Sequence, residues 1–231
     1  MHEGPADEIA PQERAGIVRD GLGVGLATGA YGVSFGAISV AGGLDVWQTC
    51  ALSLVMFTGA SQFALVGVLA SGGGAVSATA TALLLGTRNT LYGLRLAPLL
   101  GWRGWRRAVA AHLLIDESTA MSVNRPSSAT ARLGFLSTGI AVFVLWNAAT
   151  LLGAVAGNTL GDPRTYGLDA AVGAAFLALL WPRLSGRLAG RERFVAVAAA
   201  AVALATVPLV PAGVPVLAAG GVALLVGVLR S

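Results

Sequence analysis

Three titratable side chains lie close together in an apolar part of the sequence: His112, Asp116 and Glu117. His112 and Asp116 are four residues apart and would share one helix face, whereas Glu117 points about 100° away from Asp116. Acids and an imidazole inside a hydrophobic segment are what a proton relay needs. Two alternatives are that the carboxylates neutralise a buried arginine, or that an interfacial helix shows a solvated face. This spacing predicts no closed metal site.

A second polar group lies in the stretch "GTRNTLYGLRLAP", at residues 86–98. Arg88 and Arg95 are seven residues apart and share a helix face, and Asn89 and Tyr92 lie within about one turn of Arg88. An arginine in hydrocarbon costs about 2.5 kcal/mol or more, so it usually faces the protein interior or a water-filled cavity. These residues are predicted either to bind or gate a polar solute, or to reach the interface from a segment end.

The stretch "FTGASQFALVG" interrupts an uncharged run with Gly59, Ser61 and Gln62. It lacks the second glycine of a nucleophile elbow, because Phe63 stands there, so we predict no hydrolase and no enzyme. We expect a helix interruption that frees backbone groups for a polar ligand, as in transporters of amino-acid-like solutes. The alternative is a kink in which Gly59 packs on a neighbour and Gln62 hydrogen-bonds across helices.

Composition places all these residues in a membrane. Of 231 residues, 55% are hydrophobic and 11% are charged, against about 25% charged in soluble domains. All 15 basic residues are arginines, and they lie mostly in short loops, which is poor evidence for nucleic-acid binding. The single cysteine, Cys50, excludes an internal disulfide and a cysteine-based metal site. No cofactor is predicted, and the partner implied by composition is the lipid bilayer.

The hydropathy pattern predicts an all-α, polytopic membrane protein with about six to eight hydrophobic segments, some of them broken or re-entrant. Residues 1–20 are predicted to form a disordered cytoplasmic tail, and residues 21–231 a single transmembrane transporter domain. Glycines at a four-residue interval in the first segment predict close helix packing, or else a bend beside a substrate path. After this first segment, the remaining ones are expected near 47–70, 76–100, 108–124, 133–158, 167–182, 194–209 and 213–229.

The arginines predict the orientation. Loop 183–193 and residues 125–132 carry arginines and should face the cytoplasm, together with the N- and C-termini, in a bacterial inner membrane. The stretch "GWRGWRR" breaks this pattern if segments 76–100 and 108–124 both cross, because its three arginines then face outward. If neither fully crosses, both are re-entrant or broken, and the stretch stays inside.

Taken together and in this order, several stretches resemble the AzlC family of branched-chain amino acid permeases. The resemblance covers most of the chain from about residue 15 onward. It rests on an F-x-G-x-S-Q-F element, on "TRNTLYGLRLAP", on "DES" at 116–118, and on a Gly-Leu-Asp before a late span in "GNTLGDPRTYGLDAAVGAAFLALL". The first element comprises Phe57, Gly59, Ser61, Gln62 and Phe63.

This resemblance implies secondary export of isoleucine, leucine and valine, coupled most plausibly to protons, often with a small AzlD-type membrane subunit. The alternatives are export of another small amphipathic metabolite, or a non-transporting membrane scaffold. The residues assigned to substrate binding are Gly59, Ser61, Gln62, Arg88, Asn89 and Tyr92, and those assigned to proton coupling are His112, Asp116 and Glu117.

Overall fold

A computed structural model describes residues 9–160, 190–211 and 213–228, together with 177, 180, 181 and 184–186. These residues form ten helices and no strand, which confirms the all-α class with interrupted helices. The predicted segment at 167–182 and the Gly-Leu-Asp stretch lie outside the described residues, apart from three positions of that segment. The helices are α1 Pro11–Gly29, α2 Tyr31–Ala41, α3 Val46–Val55, α4 Gly59–Ala70, α5 Ala75–Leu100, α6 Gly104–His112, α7 Asp116–Val123, α8 Ser128–Leu160, α9 Gly190–Thr206 and α10 Val214–Val228.

Helix α1 begins well inside the segment that was expected to be a disordered tail. Pro11 occupies its first turn, where the fixed φ of proline suits a helix and the missing N–H has no partner to lose. Glu13 in the same turn complements the positive end of the helix dipole. Ile17 is 2% exposed and therefore belongs to the core. The expectation of disorder was wrong from residue 11 onward, because a polar first turn was mistaken for a tail.

Helices α1 and α2 form an almost continuous apolar span over residues 11–41 and pack along α8. A Cβ added to Gly25 would lie 2.6 Å from Cβ of Ala141, and one added to Gly29 would lie 2.6 Å from Cβ of Leu145. Only glycine allows this approach, so the prediction of close helix packing is confirmed. Since higher residue numbers in α1 meet higher numbers in α8, the two helices run parallel.

Helices α3 and α4 form a hairpin that enters and leaves at the same end of the bundle. Gly42, just before α3, lies against Val66 and Ala70 in the last turns of α4. At the other extreme of the hairpin, Gly59 lies against Trp146 near the middle of α8. Each arm is about half as long as a full span. The hairpin is therefore re-entrant.

Helices α6 and α7 form a second re-entrant hairpin, which enters from the opposite direction. The Trp102 ring, just before α6, packs edge-to-face on Phe135 near the start of α8, with ring centroids 5.8 Å apart. The carbonyl of Met121 in α7 lies closely against Gly134, two turns into α8. The turn between α6 and α7 reaches Gly139, so the chain penetrates the bundle and returns.

Helix α5 connects the two hairpins and crosses the bundle completely. Its 26 residues span about 39 Å. At its end, Arg132 donates from Nε to the Leu100 carbonyl at 2.7 Å, so the stretch "GWRGWRR" lies beside the start of α8. Neither sequence-based alternative was complete, because 75–100 crosses while 104–123 dips in and returns. The three arginines of this stretch consequently share one end of the molecule with Arg125 and Arg132.

One end of the bundle therefore collects most arginines, and we call it the arginine-rich end. At the start of α9, Arg191 donates to the carbonyl of Val226 near the end of α10 at 3.3 Å. Helix α10 packs on α5, since Gly213 lies against Ser77 and Gly220 against Leu84, so its last turns also approach this end. The described arginines at this end are Arg14, Arg19, Arg103, Arg106, Arg107, Arg125, Arg132, Arg191 and Arg193.

The chain from α1 to α7 consists of two units of inverted topology. In each unit a crossing helix is followed by a hairpin that re-enters from the end just reached. The hairpin helices begin at Val46 and Gly59 in the first unit and at Gly104 and Asp116 in the second, an interval of about 57 residues, as inverted repeats of transporters show. Corresponding positions also match in type: positive-φ Gly43 and Gly101 before the hairpins, Trp47 and Trp105 at their entrances, and Ser61 and Ser118 after their turns.

Candidate functional site

A cavity of about 270 Å³ lies where the turns of the two hairpins meet, halfway between the ends of the bundle. Helix α5 contributes its midpoint at Arg88, and α8 contributes Val142 and Trp146. Such a central position between inverted units is where secondary transporters bind their solutes. The full lining comprises Ala27, Thr28, Tyr31, Phe57, Thr58, Gly59, Ala60, Phe63, Arg88, Ile115, Asp116, Glu117, Val142 and Trp146.

The turn of the first hairpin is the predicted helix interruption, at residues 56–58. Gln62 donates from Nε2 to the Ser53 carbonyl at 3.3 Å and to the Leu52 carbonyl at 3.5 Å. Both carbonyls belong to the last turn of α3; the Leu52 carbonyl also accepts from the Met56 N–H at 2.9 Å, whereas the interruption leaves the Ser53 carbonyl without a helical partner. Gly59 faces Trp146, whose Cη2 would be in ordinary van der Waals contact with an added Cβ, at 3.4 Å. Both the interruption and the cross-helix amide, which the sequence offered as alternatives, occur together.

The turn of the second hairpin, at residues 113–115, is held by a serine and an amide. Ser118 accepts from the Ile115 N–H at 3.0 Å and donates to the Leu113 carbonyl at 2.8 Å. Asn89 of α5 donates from Nδ2 to the Leu114 carbonyl at 3.1 Å. Buried backbone groups of an unwound segment are costly unless paired. The hairpin can therefore unwind at mid-depth because these side chains supply the partners.

An ion pair crosses the cavity wall between α5 and the second hairpin. Nη1 of Arg88 lies 2.9 Å from Oδ2 of Asp116. Two further polar atoms of the pair, Nε of Arg88 and Oδ1 of Asp116, are buried and have no partner among the described residues. The neighbouring Glu117 accepts a long hydrogen bond from Oγ1 of Thr28 at 3.5 Å. The cavity thus holds one cation and two acids, with unused hydrogen-bonding capacity.

The rest of the wall is apolar and largely aromatic. Trp146 stacks on Phe35 at 5.9 Å, and Phe63 meets Trp146 edge-to-face at 6.2 Å. Phe57 in the first turn meets Phe143 at 5.0 Å. Trp146 is 4% exposed, and its indole N–H has no hydrogen-bond partner among the described residues. A buried donor of this kind usually has a partner, whereas this N–H, within the part of the chain that the structure describes, lies unpaired beneath the apolar surface of the wall.

The helix ends add electrostatic asymmetry. Helices α4 and α7 both begin at the cavity, at Gly59 and Asp116, and the first turn of a helix carries partial positive charge. Asp116 and Glu117 occupy the first turn of α7 and compensate that charge locally. The first turn of α4 contains no acid. The α4 side of the cavity therefore favours an anionic group and the α7 side a cationic one.

The structure brings together four of the nine residues that the sequence assigned to the site: Gly59, Arg88, Asp116 and Glu117 line the cavity. Ser61 and Gln62 are buried behind the first turn and hold its shape. The other three lie away from the cavity. Asn89 ties the second turn to α5, Tyr92 packs against the core, and His112 is exposed, with its ring 6.2 Å from Phe57 and 5.6 Å from Phe143.

Sequence reasoning missed several lining residues. Thr28 and Tyr31 are polar positions within the first span, and Trp146 precedes an asparagine within the span at 133–158. A search for polar and aromatic residues halfway along each span would have found them. Thr58 lies inside the quoted interruption and was passed over. In the described residues, no group of three or more His, Cys, Asp or Glu side chains could hold a metal ion.

A sequence model of the family described as AzlC protein matches residues 23–160. The chain belongs to the AzlC family. The matched residues include both hairpins, α5, all of α8 and every residue that lines the cavity. The part of the chain that carries the inverted units is therefore the part that defines the family.

Relatives of this AzlC-family chain are described as uncharacterized membrane proteins. One from Archaeoglobus fulgidus is 33% identical over 156 residues, which cover 67% of this chain and 68% of the relative. One from Helicobacter pylori strain 26695 is 24% identical over 176 residues, covering 75% and 77%. No solved structure matches the chain.

Proposed function

We propose that this AzlC-family protein is a secondary transporter subunit that exports isoleucine, leucine and valine across the inner membrane, driven by protons. One observation carries the proposal: a central cavity between two re-entrant turns places the Arg88–Asp116 pair beside an aromatic wall. An amino acid with an aliphatic side chain needs a cation, an anion and an apolar surface within a few ångströms. The volume of about 270 Å³ lies just below the range for drug-sized ligands and suits a smaller solute.

In this proposal the ligand carboxylate binds Arg88 and the first turn of α4, where Thr58 supplies a hydroxyl. The ligand ammonium binds Asp116, whose Oδ1 is free of partners in the described residues. The side chain lies against Phe63 and Trp146. Ligand binding thus replaces the Arg88–Asp116 ion pair with two new ones, Arg88 with the ligand carboxylate and Asp116 with the ligand ammonium. The buried charges remain paired throughout.

Glu117 is the proposed proton carrier. Asp116 is neutralised by Arg88, whereas Glu117 forms no ion pair within the described residues and accepts a hydrogen bond from the Thr28 hydroxyl. A proton on Glu117 leaves the cavity with one acid and one cation. Loss of that proton leaves an excess negative charge at mid-depth, which attracts the ligand ammonium on the cytoplasmic side. A proton that arrives from outside removes this charge, favours release of the ligand there and then passes inward, so that proton entry drives export. His112 is exposed and does not line the cavity, so it is less well placed than Glu117 to carry the proton.

The two hairpins are proposed to act as gates that open to opposite sides. The second turn is tied to α5 by the Arg88–Asp116 pair and the Asn89–Leu114 hydrogen bond. Because inverted units can exchange conformations, opening one hairpin while the other stays closed gives alternating access. The arginine-rich end would face the cytoplasm by the positive-inside tendency. A small AzlD-type membrane subunit is the proposed partner.

Efflux from intact cells tests the proposal. Cells that express the chain with its small partner subunit are preloaded with an isoleucine-containing dipeptide, and external isoleucine is followed over time. Expression should raise the efflux rate, and an uncoupler should lower it. Unchanged efflux of isoleucine, leucine and valine, with the protein present in the membrane, would reject the proposed substrates. Export of a different amphipathic solute in the same cells would favour the alternative substrate class.

A further inference from the structure

A second cavity, of about 440 Å³, lies between α5, α6 and the start of α8, outside the central site. We propose that this groove binds one anionic phospholipid, with an acyl chain along α5 and its phosphate on Arg107. The proposal concerns the surface of the bundle and does not depend on the transported solute. The groove is lined by Asn89, Thr90, Gly93, Leu94, Leu96, Ala97, Leu100, Trp102, Arg107, Ala110, Ala111, Leu114 and Phe135.

The groove exists because α6 is not closely packed against α5 or the other helices of the described residues. None of the other helices packs closely against the backbone of α6 within the described residues. Gly93 and Ala97 on α5 provide little side-chain volume opposite it, and a Cβ added to Gly93 would meet Leu114 only at 3.6 Å. An empty apolar space of this size forfeits the dispersion contacts of its lining. Something apolar must therefore fill it.

The opening of the groove identifies that filler as hydrocarbon. Leu94 is 70% exposed, and Ala97 and Ala111 are also exposed, so the groove opens on the outer surface of the bundle. Its deep wall consists of Leu96, Leu100 and Phe135, which are all buried. A lipid tail can enter sideways from the bilayer and replace the missing contacts. A polar solute would find few hydrogen-bonding groups along this wall.

Charge at one end of the groove selects the headgroup. Arg107 lines the groove at the arginine-rich end, and its lining contains no Asp or Glu. Arg103 and Arg106 flank Arg107 at the start of α6, where Arg106 lies 5.7 Å from the Trp105 ring. Tryptophan and arginine together are typical of the membrane–water interface. Basic pockets between membrane helices at this depth bind acidic headgroups.

The inner end of the groove lies beside the contact that holds the second hairpin, so a bound lipid would affect that hairpin. Leu114 and Asn89 line it, and their hydrogen bond ties the second turn to α5. A tail in the groove would pack behind this contact and hold α6 against α5. Bound lipid should therefore stabilise the closed second hairpin.

The test uses the full-length protein in detergent, with thermal unfolding and native mass spectrometry as readouts. Dioleoyl phosphatidylglycerol should raise the melting temperature and remain bound, whereas dioleoyl phosphatidylcholine should do neither. Arg107→Gln should weaken phosphatidylglycerol binding about fivefold, the worth of one arginine near an anionic headgroup. Arg14→Gln is the matched control, because it removes the same charge at the same end, away from the groove. Ala97→Phe fills the groove without a charge change and should also displace the lipid.

Three outcomes would overturn the proposal. Equal binding of phosphatidylcholine would remove the role of Arg107, and equal loss in Arg107→Gln and Arg14→Gln would show a diffuse surface charge effect. Full binding in Ala97→Phe would show that no tail occupies the groove. As a further control, the binding of glycerol 1-phosphate, which has no acyl chain, is measured in the same way. If it binds as tightly as the lipid, the groove is a phosphate site without a bound tail, and the proposal is rejected.

Discussion

Arg88 and Asp116 lie 28 residues apart in sequence, yet their side chains meet at 2.9 Å halfway through the bundle. Arg88 comes from the middle of a crossing helix, and Asp116 from the first turn after the break in a re-entrant hairpin. The pair neutralises two charges that would each be costly at this depth. It also joins the two structural elements whose separation would open the cavity toward the arginine-rich end. In the proposed mechanism this one contact combines charge balance, ligand binding and gating.

Arg88→Gln should abolish export while the protein remains at its normal level in the membrane. The substitution removes the cation of the cavity and leaves Asp116 without its partner. The measurement is isoleucine efflux per unit of membrane-inserted protein. Arg95→Gln is the matched control on the same helix, since Arg95 is exposed and lies outside the cavity. Normal efflux in Arg88→Gln would place the binding site elsewhere.

Glu117→Gln should separate transport from its driving force. The variant resembles the protonated form permanently but keeps Arg88 and Asp116, so at saturating leucine it should still exchange labelled for unlabelled leucine across vesicle membranes. Net efflux should no longer respond to a pH gradient. Thr28→Ala is the companion variant, because it removes the hydroxyl that donates to Glu117 and should leave the pH response present. A full pH response in Glu117→Gln would assign proton coupling to another group.

Gln62→Ala should destabilise the first hairpin and abolish export with the protein still inserted. The substitution removes the side-chain donor to both carbonyls and leaves that of Ser53 unpaired, because the Leu52 carbonyl keeps its bond from the Met56 N–H. An unpaired buried polar group costs about 1–3 kcal/mol. The expected result is a lower melting temperature together with a loss of leucine binding, measured on the purified protein. Gln62→Glu tests the same contact, because a carboxylate cannot donate to these carbonyls.

Gly36→Ala should destabilise the protein, whereas Gly23→Ala should not. A Cβ at Gly36 would run into the carbonyl oxygen of Thr150 on α8, but nothing lies within 4 Å of one at Gly23. Overpacking of this kind costs about 1–3 kcal/mol, while alanine for glycine in a helix interior gains about 0.5–1 kcal/mol. Thermal unfolding of the two variants in the same detergent gives the comparison. Equal melting temperatures would contradict the close packing of α2 on α8.

Cysteine labelling should show that the entrance of the first hairpin and the entrance of the second lie on opposite sides of the membrane. In a Cys50→Ala background, single cysteines at Trp102 and Ser127 should react with an impermeant maleimide from the same side. A cysteine at Ser71 should react from the other side. Labelling of positions 102 and 127 from different sides would mean that 104–123 crosses the membrane, and would reject the second re-entrant hairpin.

The sequence by itself determined the class, the presence of broken segments and the charged residues of the cavity. A long uncharged run can satisfy its backbone in lipid from within the segment only as a helix, so composition and segment length together predicted an all-α membrane protein. Gly59 and its neighbours predicted a helix interruption, because glycine and polar side chains are unfavourable inside an otherwise apolar membrane helix. Arg88, Asp116 and Glu117 were predicted for the same reason, since a charge at membrane depth is costly and must face something polar.

Only the tertiary structure decided which of these residues meet. Hydropathy measures how apolar a segment is, but not whether it crosses or turns back, so 104–123 could not be assigned. The roles of Gln62 and Asn89 depend on carbonyls of α3 and of the second hairpin turn, which local sequence does not bring into reach. The apolar half of the cavity was likewise hidden, because Trp146 looks like any span residue until two turns pack against it. The energetic cost of a polar residue in lipid depends on its own segment, so the sequence records it. Whether two distant helix interruptions meet depends on how the helices pack, so only the tertiary structure shows it.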